Sequence, residues 1–134
     1  MIDKELKKFV KESLKEDIKS GDHTSLACID AKNNSSAILL SKDNGIIAGI
    51  ELANYIFNEV DSKLNIKSNF RDGNTVMKGD IIMNISGNTQ SILKAERLVL
   101  NCMQQMSAIA TKTNNISKKI SSTNTKILDT RKTI

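Results

Sequence analysis

The sequence predicts an α+β chain: helices packed on a mostly antiparallel sheet, followed by the first helix and strand of a second, barrel-like unit. Three observations carry this. Apolar residues recur at three- and four-residue steps near the start, over 50–60 and from Gln90 onward, which is the period of amphipathic helices. Between these stretches lie short apolar runs broken by Asp43-Asn44-Gly45, Asp72-Gly73 and Lys78-Gly79-Asp80, the punctuation of strands joined by tight turns. After residue 90 the order becomes helix, helix, strand, which marks a new unit after the α+β block.

Ile2, Leu6, Phe9, Val10 and Leu14 form the apolar stripe of a first helix that Asp3 can cap and that ends near Asp17. Lys19-Ser20-Gly21-Asp22 is loop chemistry. Residues 24–29 and 36–40 read as strands, and Asp43-Asn44-Gly45 turns the second of these into 46–48 as a hairpin. A helix over 50–60 follows, with Ile50, Ala53, Ile56, Phe57 and Val60 on one face. Alternation over 64–70 gives a strand, and 75–77 and 81–85 give two more, each bounded by glycine turns. Ile92, Leu93, Leu98, Val99, Leu100, Met103 and Met106 cover so much of the next helix that it must lie between layers or at a subunit contact. The small residues of Ser107-Ala108-Ile109-Ala110-Thr111 begin a further helix to about Ser121, and 125–130 reads as a strand.

The 134 residues suit one domain with a real core. That core must rest on aliphatic residues and Met, because aromatics make up 3% of the chain and Trp and Pro are absent. No apolar stretch reaches the roughly 18 residues that a membrane span needs. Met1-Ile2-Asp3-Lys4-Glu5 lacks the apolar core of a signal peptide, so the cytoplasm is the expected location. Cys28 and Cys102 match no metal or redox spacing and read as two buried thiols. The net charge of +5 is uneven: from Ser91 onward eight Lys and Arg face only Glu96 and Asp129. An anionic partner for the C-terminal part follows. Nucleic acid fits poorly, since few aromatics are available to stack on bases.

Four places invite a chemical reading. Thr130-Arg131-Lys132-Thr133 ends an apolar run with a planar fork and a point charge, the pair that receives carboxylate and phosphate; the bland account is a solvated tail. Arg97, beside Glu96 in an apolar helix, reads from the residues alone as half of a structural ion pair with Glu96 or another acid. His23, the single histidine, reads as a turn residue, with an acid–base role the alternative. Val76-Met77-Lys78-Gly79-Asp80 is similar to the lysine-bearing turn of biotinyl and lipoyl carriers, but Gly79-Asp80 is ordinary turn chemistry.

Several segments, in order along nearly the whole chain, resemble quinolinate phosphoribosyltransferase. They are Glu16-Asp17-Ile18 with Gly21-Asp22-His23-Thr24-Ser25, Asp72-Gly73 with Val76 and Gly79, Ala95-Glu96-Arg97 with Leu100-Asn101, Met106 through Thr111, and Asp129-Thr130-Arg131-Lys132-Thr133. The Glu-Arg helix, the Ser-Ala-Ile-Ala-Thr segment and the Asp-Thr-Arg-Lys-Thr strand end are specific in combination.

The resemblance implies an N-terminal α/β sandwich over 1–96, then the beginning of an irregular α/β barrel over 97–134. It also implies a homodimer with shared active sites, which transfers the phosphoribosyl group of phosphoribosyl pyrophosphate to quinolinate. Nicotinate mononucleotide, pyrophosphate and CO2 would be the products and Mg²⁺ the cofactor, with its ligands mostly on substrate and beyond this chain. Arg131 would hold a quinolinate carboxylate, Lys132 would serve the same pocket and Thr130 would line it. Arg97 would reach the partner subunit's site, in place of the ion-pair reading. No catalytic residue and no metal ligand falls within the chain. Family members are longer, so the chain reads as an N-terminal half that would not turn over alone. The competing readings are a related enzyme acting on another acid, and a non-catalytic carrier-like or interaction module.

Overall fold

A computed structural model describes residues 4–18 and 23–130. The helix expected at the start is α1, Lys4–Ile18, and its stripe turns Val10 and Leu14 into the core while Phe9 stays half in solvent. Asp3, its expected cap, lies outside the described residues.

Of residues 24–29, expected as a strand, 24–28 belong instead to a short helix, α2, His23–Cys28. An apolar run this short fits either period, and context decides. The Ile29 amide donates to Ser25 O at 3.0 Å, a helical bond, and Ile29 O is taken by Gln90 Nε2 at 2.8 Å. Cys28, expected to be buried, is exposed; Cys102 is half-buried.

Strands β1 (Asn34–Leu40), β2 (Gly45–Ile46), β3 (Asn65–Ser68), β4 (Thr75–Val76) and β5 (Ile81–Asn88) form two antiparallel sheets, β1-β5-β3 and β2-β4. The expected hairpin of 36–40 with 46–48 is therefore not formed. β1 pairs with β5, β2 pairs with β4, and 41–44 is a corner between the sheets. The corner is held by the turn after β4: the Ser41 amide donates to Asp80 O, the Gly79 amide to Ser41 O, and the Lys78 amide to Asn44 Oδ1. Lys78 thus sits in an ordinary exposed turn. In β5 the adjacent Ile82 and Met83 are both buried, which simple alternation forbids. Leu39 faces Met83 and Leu40 faces Ile81, so Ile82 is the extra residue of a bulge that changes the phase of the strand.

Helix α3, Ile50–Val60, matches its expected range and buries Ile50, Leu52, Ala53, Ile56 and Phe57. Its N-cap is Gly49, which has no side chain to satisfy the first amides. Asp72 supplies the cap from the other turn: Oδ1 accepts from the Ile50 amide at 2.8 Å and Oδ2 from the Glu51 amide at 3.2 Å.

The two helices expected after residue 90 are one, α4, Thr89–Lys119. Nothing in Met106-Ser107-Ala108 breaks a helix, since neither Gly nor Pro is present and small residues are tolerated. At about 1.5 Å per residue it is some 46 Å long. Asn88 caps it by accepting from the Ser91 amide at 3.0 Å. Ile92, Ala95, Val99 and Met103 pack into the core with α3 and β5, while Leu93, Met106, Ile109 and Ile116 are left exposed. The boundary drawn between 96 and 97 falls inside this unbroken helix.

Residues 125–130, expected as a strand, are exposed and without regular structure. A strand needs a neighbouring strand to take its backbone groups, and none of β1 to β5 pairs with this segment. No barrel strand is formed within the described residues.

Candidate functional site

Helix α4, Thr89–Lys119, carries Arg97, one of the residues that the sequence singled out, and contacts at its start and in its C-terminal half fix it. At its start, the Ser91 hydroxyl donates to Asp61 Oδ2 at 2.9 Å, and the Lys63 amide donates to Asp61 Oδ1 at 2.9 Å. These two donors hold the Asp61 carboxyl below its ordinary range, the Lys63 amide contributing most.

Its C-terminal half docks on the edge of β2 through Ser107 and Thr111. The Ala48 amide donates to Ser107 Oγ at 3.0 Å and the Ile46 amide to Thr111 Oγ1 at 2.9 Å. The Ser107 hydroxyl donates back to Ala48 O at 3.2 Å. Residues four apart on a helix are about 6 Å apart along its axis, and residues two apart on a strand nearly 7 Å. One turn of helix can therefore substitute for an antiparallel strand. The opposite edge keeps the same alternation, because the Ile47 amide donates to Asn74 O and Gly73 donates to Ile47 O. The approach is close: a Cβ on Gly45 would lie 2.5 Å from Thr111 Oγ1. Above this contact opens a mostly apolar cleft of about 570 Å³ between 38–47 and the Leu100–Thr111 face of α4.

Arg97 leaves the helix nearer its start, toward α1. Its side chain is 76% exposed, and Nε lies 3.5 Å from Oδ1 of Asp17, which is 32% exposed. The residues-alone reading of an ion pair thus finds its acid in α1 and not in the adjacent Glu96. Ser13, Glu16, Asp17, Arg97, Leu98 and Asn101 line a shallow depression here. Thr130 is exposed, and its amide donates to Asp129 Oδ1 at 2.7 Å. Arg131 and Lys132 lie outside the described residues. Among the described residues no group of three His, Cys, Asp or Glu is placed to hold a metal ion.

Sequence reasoning assigned no role to Asp72 beyond a turn, to Ser107 and Thr111 beyond a helix start, or to Asp17 beyond a helix end. The spacing of two hydroxyls one turn apart was the available signal for the β2 contact. Nothing local pointed to Asp72 as a cap.

Two small antiparallel sheets packed on one long helix, whose Met106, Ile109 and Ile116 stay exposed, define an α+β module. The family model described as quinolinate phosphoribosyl transferase, N-terminal domain, matches residues 22–107. A quinolinate phosphoribosyltransferase [decarboxylating] 2b, mitochondrial, of Nicotiana tabacum is 44% identical over 130 residues, covering 96% of this chain and 36% of that protein. A nicotinate-nucleotide pyrophosphorylase [carboxylating], chloroplastic, of Arabidopsis thaliana is 42% identical over 130 residues, covering 96% and 37%. Among solved structures, NadC from Streptococcus pyogenes superposes with a TM-score of 0.94 at 29% identity, covering 100% of this chain and 48% of that one. The nicotinate-nucleotide pyrophosphorylase of Francisella tularensis does so with a TM-score of 0.89 at 39% identity, covering 96% and 45%. The chain belongs to the quinolinate phosphoribosyl transferase family, and it spans between a third and a half of the length of these relatives.

Proposed function

We propose that the protein carrying this chain transfers the phosphoribosyl group of phosphoribosyl pyrophosphate to quinolinate with loss of CO2, giving nicotinate mononucleotide and pyrophosphate. The observation that carries the proposal is the match to enzymes of that name over 96% of this chain. Both substrates are anions, and the surplus of cations after Ser91 suits them. Arg97 serves a quinolinate carboxylate from the flank of α4; a guanidinium offers the two-bond hold that fits a carboxylate. Arg131 takes a carboxylate, Lys132 the same anionic pocket, and Thr130 lines it. These groups bind and orient the reacting anions and stabilise the charge that grows as pyrophosphate leaves.

The protein acts as a homodimer with shared sites. The apolar side chains that α4 leaves in solvent, Met106, Ile109 and Ile116 among them, support a partner surface. Mg²⁺ enters with the family likeness, and no step is assigned to it, because the described residues offer it no ligand set. Among the described residues no helix is long and apolar enough to cross a membrane. Two free cysteines suit a reducing compartment, and we place the protein in the cytoplasm.

The test is release of CO2 from carboxyl-labelled quinolinate by the full gene product, which should require phosphoribosyl pyrophosphate. Arg97→Ala and Arg131→Ala should each weaken it severely, through a raised KM for quinolinate, with the fold retained. A double variant of undiminished activity overturns the proposal.

A further inference from the structure

Arg97 has no acid on its own side of α4 to hold it. Its neighbours one turn away are Leu93, Lys94, Leu100 and Asn101, and Lys94 repels it. Glu96 points elsewhere by helical spacing, since adjacent residues do not face each other. Among the described residues the guanidinium nonetheless finds an ionic partner in Asp17 of α1.

Asp17 is badly placed for its own helix. It lies in the last turn of α1, where the carbonyl end of the helix disfavours a negative charge. It continues the stripe of Val10 and Leu14 by a further three residues, and that stripe is what packs α1 into the core. Burying Val10 and Leu14 therefore brings Asp17 alongside α4. An ion pair this exposed adds little to stability, so neither local helix physics nor tertiary stability accounts for the carboxylate.

We propose that Asp17 is a positioning residue for Arg97: it holds the Nε edge of the guanidinium and leaves the Nη1–Nη2 edge to take a substrate carboxylate. A guanidinium can meet a carboxylate with two parallel bonds along either edge. With Asp17 on one edge, the other is turned outward, and a flexible side chain on an exposed helix flank is restricted before substrate arrives. This inference rests on the proposed role of Arg97 in binding quinolinate.

The test is a cycle of Asp17→Asn, Arg97→Ala and the double variant in the full gene product, with Glu12→Gln as a charge-matched control on the same helix. Asp17→Asn should raise KM for quinolinate about tenfold while changing kcat less than about threefold. The melting temperature should stay within that of the control, and Asp17→Glu should restore part of the loss. In the Arg97→Ala background, Asp17→Asn should add nothing. Additive effects, or an unchanged KM in Asp17→Asn beside a raised one in Arg97→Ala, overturn the positioning role alone. An unchanged KM and kcat in Arg97→Ala overturn the binding role on which it rests.

Discussion

Replacing the two hydroxyls that join α4 to β2, as Ser107→Ala with Thr111→Val, should unfasten the helix from the sheet edge. Each substitution removes the acceptor of one backbone amide, Ala48 and Ile46 respectively. An amide left without a partner in the interior costs about 1–3 kcal/mol; both residues are half-buried, so about 1–1.5 kcal/mol each applies. The alanine returns about 0.5 kcal/mol of helix propensity. The double variant should therefore lose about 2 kcal/mol. With a urea slope of about 2 kcal/mol/M, the unfolding midpoint falls by about 1 M at unchanged slope. Ser117→Ala, exposed on the same helix, should move it by no more than about 0.5 kcal/mol. Amide exchange localises the effect, because Ile46 and Ala48 should lose protection while Ile47, bonded to Asn74 on the other edge, keeps more of its own. A midpoint within about 0.3 M of the parent, with both amides still protected, would refute the reasoning.

Asp72→Ala removes the cap that α3 borrows from a turn, and should cost about 1–2 kcal/mol in thermal or urea unfolding, with early exchange at Ile50 and Glu51. Gly45→Ala drives a methyl into Thr111 Oγ1 and should destabilise by about 1–3 kcal/mol; Thr111→Ala in the same chain should recover part of that in a double-mutant cycle. Asp61 has a folded pKa below its unfolded one, so the native state binds fewer protons there. Its contribution is complete above the ordinary carboxylate range and is lost as pH falls through the lowered value. Asp61→Asn should flatten that part of the acid limb in stability measured against pH, and an unchanged limb would remove Asp61 from the account.

The elements that were legible in the sequence are those whose evidence is local. Helix α3 was readable to the residue because Ile50, Ala53, Ile56 and Phe57 repeat the helical period within eleven residues. Strands β3 and β5 were readable from alternation and glycine turns, though the bulge at Ile82 was not, since it arises only when β5 is set against β1. The strand expected over 24–29 is largely helix α2, because six residues carry too little periodicity to separate helix from strand. The strand expected over 125–130 had the right composition, but none of the described strands pairs with it.

The same division holds for the candidate site. The residue types at stake, Arg97 on a helix and Arg131-Lys132 after an apolar run, are legible in the chain alone, as is the family resemblance that gives them a role. The charge surplus after Ser91 is legible there too, because composition needs no fold. That Arg97 meets Asp17, that Asp72 caps α3, and that Ser107 and Thr111 complete the edge of β2 across 59 and 65 residues of chain became visible only in the folded molecule. Each of these is a polar contact between elements distant in sequence. Such a contact exists only once apolar burial has set the elements side by side, and no spacing within a single element encodes it.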